Sequence, residues 1–219
     1  MASVPALRRE IVEACHRMHE RGYVASVEGN VTARADDDVL VVTPSGRSKD
    51  TLVEGDLLVC DLEGNLLKGA GQPSSELPLH LAAYCQRSDV GAVIHAHPPT
   101  ATGFAVAGLS LQCCALPEAV VLLGDVPVAP YAIPGTPELA QVVGVYASGH
   151  NAFLLANHGA VTMGASVMEA YQRMEVLERL AHILVTARQL GHVNLLSDEQ
   201  LQQLRKVAGA RNSGQRRRR

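Results

Sequence analysis

The 219-residue chain has no run of apolar residues long enough to cross a bilayer, which excludes a membrane-spanning helix. Its first residues form no apolar signal core, so we expect a soluble protein of the cytoplasm. The five cysteines include no Cys-x-x-Cys pair, and the sequence therefore favours free thiols in a reducing compartment. With 47% hydrophobic residues, the chain is long enough to bury a sizeable core as one domain.

The sequence also lacks the excess of positive charge that is typical of nucleic-acid-binding proteins. Its formal net charge is −3, and the run Arg216–Arg219 holds four of the 19 basic residues, so the rest of the chain is more acidic still. Such a run after a polar segment favours a solvated end, with a binding tail as the alternative. We predict one domain over residues 1–210, a disordered Arg-rich tail over residues 211–219, and neither a nucleic-acid nor a membrane partner.

Histidines that follow apolar strands are the first candidates for chemistry. His95 and His97 end a β-branched stretch, and residues two apart on a strand project from the same face, so both imidazoles point at one place. This arrangement indicates a metal, although buried histidines that only satisfy hydrogen bonds are an equal alternative. A third ligand would decide between these alternatives. His158, beside a glycine at the end of the apolar strand 152–156, is the candidate.

Small polar residues and glycines mark a candidate anion site. Gly29-Asn30 and Ser45-Gly46 lie beside predicted strands, where backbone N–H groups and hydroxyls can face an anion. Ser74-Ser75 suits the N-cap of a helix, and a helix start with two hydroxyls is a good phosphate cradle. Glu76 would add a carboxylate in the first turn. Taken alone, each motif is also compatible with an ordinary turn or a capped helix.

The remaining pattern consists of early hairpins followed by helices. Two strands joined by the turn Glu63-Gly64-Asn65 predict an antiparallel beginning of the sheet. The segment from 119 to 123 is predicted to be extended, because nearby prolines disfavour a regular helix. Apolar residues at helical spacing, together with capping residues, predict helices over residues 4–21, 100–107, 136–147 and 166–190 and from Ser197 onward.

Five motifs, taken in order and spacing, resemble the class II aldolase/adducin family, most closely its L-fuculose-1-phosphate aldolase branch. The resemblance extends from the first helix to about Leu190. It implies a three-layer α/β/α fold around a mixed, mostly antiparallel sheet, assembled as a homotetramer with active sites between subunits. The motifs are Gly29-Asn30, Thr43-Pro44-Ser45-Gly46, Pro73-Ser74-Ser75-Glu76, His95-Ala96-His97-Pro98 and Asn157-His158-Gly159.

The resemblance also implies a role for each matching residue. Zinc, or another divalent metal in its place, is the implied cofactor, and its ligands match His95, His97 and His158. Glu76 matches the catalytic acid/base, which also touches the metal when no substrate is bound. The implied reaction is that of a lyase, the reversible cleavage of a ketose 1-phosphate to dihydroxyacetone phosphate and an aldehyde. The residues that match the substrate phosphate site are Asn30, Ser45, Gly46, Ser74 and Ser75.

Two other classes of function stay open at this point. The first is a different reaction at the same sites, either the decarboxylation of a keto-sugar-acid phosphate or the dehydration of methylthioribulose 1-phosphate. The second is a non-catalytic adducin-like module, and the three histidines count against it. The chain departs from the fuculose branch where that branch handles the aldehyde with tyrosines, because the middle region reads Leu116-Pro117-Glu118 and no tyrosine follows Ser197. Glu118 is a candidate replacement, and an exposed structural glutamate is the alternative.

Overall fold

A computed structural model describes residues 2–36 and 39–216. No helix within those ranges is long and apolar enough to span a bilayer. The helices are α1 (Val4–Glu20), α2 (Leu77–Gln86), α3 (Pro99–Val106), α4 (Pro117–Leu122), α5 (Pro137–Ala147), α6 (Val167–Leu190) and α7 (Asp198–Arg216). The strands are β1 (Asn30–Asp36), β2 (Val39–Val42), β3 (Leu58–Asp61), β4 (Leu66–Lys68), β5 (Ala92–Ala96), β6 (Val128–Ala129), β7 (Ala152–Leu155) and β8 (Gly159–Gly164).

The eight strands form one sheet in the order β4-β3-β2-β1-β5-β8-β7-β6. Its neighbours pair antiparallel except β6 and β7, which are parallel. The expected mixed, mostly antiparallel sheet is therefore confirmed. In the registers at its centre, Asn30 pairs with His95 and Ala96 pairs with Ala160. The beginning of β1, the end of β5 and the beginning of β8 thus lie together at one end of the sheet.

Helices cover both faces of this sheet, which confirms the three-layer arrangement. Alternate strand residues face opposite layers, so Ile94 packs in a core with α1, α3, α4 and α6, whereas Val93 packs in a second core with α2 and α5. By the same alternation, Thr32 and His95 project toward the layer of α2. This layer therefore receives the polar residues of β1 and β5.

Helix α4 corrects the sequence-based expectation for the segment after Leu116. Residues 119–123 were expected to be extended because of nearby prolines, but they belong largely to a helix that begins at Pro117. Proline is tolerated at the first helical position, where its missing N–H has no partner to lose and its fixed φ suits the helix. The proline therefore starts this helix instead of preventing it.

The two C-terminal helices begin with side-chain caps. Ser166 accepts a hydrogen bond from the N–H of Glu169 at the start of α6. At α7, the Ser197 hydroxyl accepts from the Gln200 N–H at 3.3 Å, while the Gln200 side chain accepts from the Ser197 N–H at 2.8 Å. This reciprocal pair is a capping box, and it begins the helix that was predicted from Ser197 onward. Helix α7 includes residues 211–216 of the predicted disordered tail, whereas residues 217–219 lie outside the described residues. The domain boundary at residue 210 stays a prediction.

Candidate active site

Three histidine side chains meet where the central strands end. His95 is the fourth residue of β5, His97 follows the end of that strand, and His158 lies in the turn between β7 and β8. Their ring centroids are 4.9 Å apart for His95–His97, 4.6 Å for His95–His158 and 5.1 Å for His97–His158. One ring nitrogen from each histidine lies within 4.8 Å of the others. His95 and His97, which strand spacing predicted to converge, therefore lie together with His158, the expected third ligand.

The approach of these rings depends on the turn before β8. Asn157 has a left-handed backbone with φ of 55°. The next-but-one residue, Gly159, lies against the site: a Cβ there would be 2.5 Å from Cδ2 of His97 and 2.6 Å from the carbonyl oxygen of Ala96. Glycine is therefore required at position 159, since any side chain would push the histidines apart.

Hydrogen bonds fix which nitrogen of His95 and of His97 is free to bind a metal. The Nδ1 of His95 lies 3.0 Å from the carbonyl oxygen of Ala160, and the Nδ1 of His97 lies 2.8 Å from the Glu28 carboxylate. Carbonyl and carboxylate oxygens only accept, so both Nδ1 atoms carry the proton. Burial lowers the pKa of His95 to about 3, so this imidazole is neutral at pH 7.

The resulting donor set fits a divalent metal. The Nε2 atoms of His95 and His97 are 3.1 Å apart, each on the edge of its ring away from the proton on Nδ1. The buried Oε1 of Glu76 has no hydrogen-bond partner among the residues that the structure describes, and it lies 3.2 Å from Nε2 of His158. Imidazole nitrogens with a carboxylate beside them form a typical zinc-binding set. The unsatisfied carboxylate oxygen is explained if an ion is bound beside it.

Glu76 faces the three histidines from the start of α2. Its carboxylate oxygens lie 3.4 Å from Nε2 of His95 and 3.2 Å from Nε2 of His158. The side-chain amide of Asn30 donates a hydrogen bond to the same carboxylate at 3.0 Å. Burial alone would raise the pKa of Glu76, but the contacts with His158 and Asn30 outweigh it and lower the pKa well below its ordinary value. The side chain is thus an ionised carboxylate that only accepts hydrogen bonds.

The start of α2 differs from the expected hydroxyl-capped helix. Glu76 occupies the N-cap position, and its side chain makes no cap hydrogen bond. The Ser74 hydroxyl instead accepts from the Glu76 N–H at 3.3 Å, within the turn that precedes the helix. The prediction of a Ser74 or Ser75 cap is therefore wrong, because the turn places Glu76 at the helix boundary and directs its carboxylate to the histidines.

Two of the residues expected to bind phosphate, Asn30 and Ser74, contact Glu76. The Asn30 amide, which contacts the carboxylate, also donates to the Ser74 hydroxyl at 3.1 Å. The Ser45 N–H donates to the Gln72 carbonyl at 2.9 Å, which joins the 43–46 turn to the segment before Ser74. Gly46 has a left-handed φ of 69° and open space where a side chain would stand. Ser75 is the next residue of the turn, between Ser74 and Glu76.

Glu28 is a functional residue that sequence reasoning missed. It is held by the N–H of Ala25, which donates to one carboxylate oxygen at 2.6 Å, while the other oxygen binds His97. Carboxylates that hold a metal-binding histidine fix its orientation and raise its basicity. Glu28 and His97 are 69 positions apart, and no local pattern connects them.

Lys49 is a second residue whose environment was not expected. Lys49 lies in a loop, but it is only 1% exposed. Its ammonium donates to the carbonyl oxygens of Val27 at 3.2 Å and Arg47 at 3.0 Å. The lysine thereby ties the loop that carries Glu28 to the loop that follows Gly46.

Known proteins are similar to this chain in sequence and in fold. Residues 9–185 match the family described as Class II Aldolase and Adducin N-terminal domain. L-fuculose phosphate aldolase of Methanococcus maripaludis is 34% identical over 180 residues, covering 82% of this chain and 96% of that protein. 3-oxo-tetronate 4-phosphate decarboxylase of Haemophilus influenzae is 34% identical over 203 residues, covering 91% of this chain and 96% of that protein. The solved structure of an L-fuculose 1-phosphate aldolase superposes on this chain with a TM-score of 0.85 at 32% identity, covering 93% of this chain and 96% of that protein.

These matches agree with the geometry of the site. Class II aldolases use a divalent metal, and three histidines of this chain each offer one ring nitrogen within 4.8 Å of the others. Relatives that are named as an aldolase and as a decarboxylase both belong to the lyases. The family match over residues 9–185 and the shared fold together show that this chain is an enzyme of the class II aldolase and adducin family.

Proposed function

We propose that this protein is a zinc-dependent class II aldolase that reversibly cleaves a ketose 1-phosphate similar to L-fuculose 1-phosphate. Its products would be dihydroxyacetone phosphate and an aldehyde. The observation that carries this proposal is the position of Asn30, whose amide contacts both the Glu76 carboxylate and the Ser74 hydroxyl. A base, a metal-binding set and a phosphate site in one hydrogen-bonded cluster suit a substrate whose carbonyl and phosphate are separated by a single carbon.

His95, His97 and His158 would hold the metal through nitrogen lone pairs. When bound, a zinc ion supplies a Lewis acid that polarises the substrate carbonyl. Glu28 keeps the His97 ring oriented for this role, and the Ala160 carbonyl does the same for His95. The chain thus fixes two of the three imidazoles before any metal binds.

The phosphate site and Glu76 would complete the reaction. With the phosphate bound beside Glu76, the carbon next to the carbonyl would lie within reach of the carboxylate. Glu76 starts as a carboxylate, so in cleavage it would take up the proton that the substrate hydroxyl loses as the carbon–carbon bond breaks and the aldehyde forms, and would deliver it to this carbon. In condensation it would remove the proton from this carbon and return it to the new hydroxyl. The residues proposed to bind the phosphate are Asn30, Ser45, Gly46, Ser74 and Ser75.

Decarboxylation of a keto-sugar-acid phosphate is the second candidate. It is favoured by the Haemophilus influenzae relative, whose 34% identity equals that of the aldolase relative. Loss of carbon dioxide also leaves electrons on the carbon beside a polarised carbonyl, and that carbon must then be protonated. The same metal set, phosphate site and Glu76 would therefore serve both reactions, and the groups around the rest of the substrate would separate them.

A substrate panel tests the proposal directly. Zinc-loaded protein would be incubated with L-fuculose 1-phosphate, other ketose 1-phosphates and 3-oxo-tetronate 4-phosphate. Release of dihydroxyacetone phosphate and of carbon dioxide would be followed by coupled assays. We expect dihydroxyacetone phosphate from at least one ketose 1-phosphate. Decarboxylation of 3-oxo-tetronate 4-phosphate also leaves dihydroxyacetone phosphate, so the two reactions are distinguished by substrate and by carbon dioxide. Carbon dioxide from 3-oxo-tetronate 4-phosphate, with no cleavage of any ketose 1-phosphate, would establish the second candidate. No product from any substrate would contradict both.

Replacement of Glu76 tests its role in proton transfer. Glu76→Gln keeps the shape and the hydrogen bond from Asn30 but cannot carry the proton, so kcat should fall by about 10²–10⁴-fold. The three histidines are unchanged, so elemental analysis should still find one zinc per chain. Glu63→Gln, an exposed glutamate in the β3–β4 turn, is the matched control and should retain full activity. Full activity of Glu76→Gln would remove Glu76 from the mechanism.

We also propose the assembly and compartment that the family resemblance and the sequence favour, a cytoplasmic homotetramer with active sites between subunits. Large apolar side chains on the surface of the single chain support an assembly: Leu190 is 85% exposed, Val145 71% and Ile133 62%. The five cysteines are free in the described structure, as expected for a reducing compartment.

A further inference from the structure

His80 is a buried polar residue on the face of α2 that packs against β1. It follows Glu76 by four residues, and its side chain is fully buried. Both ring nitrogens have partners: Nε2 lies 2.5 Å from Oδ1 of Asn30, and Nδ1 lies 2.9 Å from the Thr32 hydroxyl. The Thr32 oxygen lies in turn 2.9 Å from the hydroxyl of Tyr84, one helical turn beyond His80. A chain of hydrogen bonds thus leads from Tyr84 to the active site.

The direction of every bond in this chain follows from its end at Glu76. The ionised carboxylate only accepts, so the Asn30 amide turns its NH₂ group toward Glu76 and Ser74. The carbonyl oxygen of that amide therefore faces His80, which must donate to it from Nε2.

The same logic fixes the outer half of the chain. Burial lowers the pKa of His80 to about 4, so the ring is neutral at pH 7 and carries one proton. With this proton on Nε2, Nδ1 must accept from the Thr32 hydroxyl. Because the Thr32 hydroxyl already donates its only proton to His80, its oxygen accepts a hydrogen bond from the Tyr84 hydroxyl. Each bond then joins one donor to one acceptor, as a buried polar network requires.

We propose that His80 is a positioning residue for the active site. By donating from Nε2, it fixes the plane of the Asn30 amide, and this single amide then orients both the Glu76 carboxylate and the Ser74 hydroxyl of the phosphate site. Thr32 and Tyr84 hold His80 in the tautomer that this task needs. The consequence for catalysis rests on the proposed function, whereas the tautomer of His80 does not.

A buried histidine that merely satisfies the core is the alternative explanation. Such a residue would need hydrogen-bond partners for its two nitrogens, but neither partner would have to belong to the active site. Here the partner of Nε2 is Asn30, which is 50 positions away and is itself bonded to the proposed base, Glu76. The two explanations therefore differ in what happens when only the bond to Asn30 is lost.

The tautomer can be measured without any substrate. Nitrogen NMR of histidine-labelled, zinc-loaded protein distinguishes Nε2–H from Nδ1–H rings, and the His80 signals are identified by their loss in His80→Gln. We expect the Nε2–H form between pH 6 and pH 8. An Nδ1–H ring would reverse the bond to Asn30 and overturn the proposal.

A pair of substitutions tests the consequence for catalysis. His80→Gln places an amide N–H where Nε2 was and can still donate to Asn30, whereas His80→Asn reaches only the former position of Nδ1. We expect kcat/KM of His80→Asn to be about 10–100-fold below that of His80→Gln, with equal zinc content and with both kcat and KM affected. A difference smaller than tenfold overturns the positioning role.

The two measurements also separate this inference from the proposed function. A wild-type protein that cleaves none of the panel would contradict the proposed reaction, and the tautomer would still decide whether His80 orients Asn30. An active wild-type protein with equally active His80→Asn and His80→Gln variants would uphold the reaction and reject the role of His80.

Discussion

At the scale of single residues, the metal-binding set depends on a position where no side chain fits. A Cβ on Gly159 would overlap the His97 ring and the Ala96 carbonyl, and the carbonyl belongs to the backbone of β5. We therefore expect Gly159→Ala to lower the free energy of unfolding by about 1–3 kcal/mol, as forced overpacking does. Since the displaced group is a proposed ligand, zinc affinity should also fall by about tenfold or more. Urea denaturation of metal-free protein and competition with a coloured chelator measure the two effects.

Gly149 provides the control for this substitution. A Cβ at Gly149 would meet no heavy atom within 4 Å, and its backbone is outside the left-handed region. Gly149→Ala should change the free energy of unfolding by no more than about 0.5 kcal/mol and leave zinc affinity unchanged. Equal behaviour of the two variants would show that the close approach at Gly159 does not position His97.

Single-residue predictions from the sequence succeeded where the evidence was local. His95 and His97 were expected to converge because strand residues two apart share a face, and their rings do lie together. Glu28 was not found, because its partner His97 is distant in the chain and is reached only through the pairing of β1 with β5. The environment of His80 was missed for the same reason, because its partner Asn30 is 50 positions away and no local pattern connects the two.

At the scale of elements, the stability of the long helix α6 should depend measurably on its N-cap residue, Ser166. The Ser166 hydroxyl accepts from the Glu169 N–H at 3.2 Å, which satisfies one of the N–H groups that have no partner within the helix. Ser166→Ala should therefore lower the free energy of unfolding by about 1 kcal/mol. Urea denaturation at neutral pH provides the measurement.

The first helix offers a matched control for that cap. Ser3 stands at the N-cap of α1, but its side chain makes no cap hydrogen bond. Ser3→Ala should therefore change the free energy of unfolding by less than about 0.5 kcal/mol. If both serine variants lose the same stability, the side-chain cap of α6 contributes nothing of its own.

Helix boundaries were predictable where periodicity and turn residues agreed. The predicted 136–147 helix corresponds to α5 at Pro137–Ala147, and the predicted 166–190 helix to α6 at Val167–Leu190. The errors arose at prolines and hydroxyls, which have more than one role. Pro117 begins a helix that it was expected to prevent, and Ser74 holds a turn where it was expected to cap α2.

At the scale of the whole molecule, strand order could not be predicted from local patterns. The sheet places β1 between β2 and β5, and β5 between β1 and β8, so the site is assembled from segments that are distant in the chain. Hairpins such as β3–β4 were predictable because a turn joins neighbouring strands. The pairing of β5 with β8 has no such local signal. The resemblance to a family supplied the fold class for this reason.

Metal binding should stabilise the whole molecule, because the proposed ligands come from separate parts of the sheet. His95 lies in β5, His97 follows it, His158 lies between β7 and β8, and Glu76 begins α2, so they converge only in the folded chain. A ligand that binds only the folded state stabilises it by about 2.7 kcal/mol at a concentration of 100 Kd. For a chain of this size, the Tm of metal-free protein should rise by about 5–10 °C on addition of zinc.

The zinc-dependent rise in Tm should require His158 but not a histidine outside the site. His158→Ala removes one of the three ligands and should abolish most of the rise, whereas His150→Ala, whose ring contacts the Tyr146 carbonyl, should retain it. Because the ligand nitrogens must be unprotonated, the rise should also shrink as the pH falls below neutrality. Calorimetry of metal-free protein with and without zinc measures all three effects. A Tm that zinc leaves unchanged in the wild-type protein would contradict the metal site and, with it, the proposed zinc-dependent reaction.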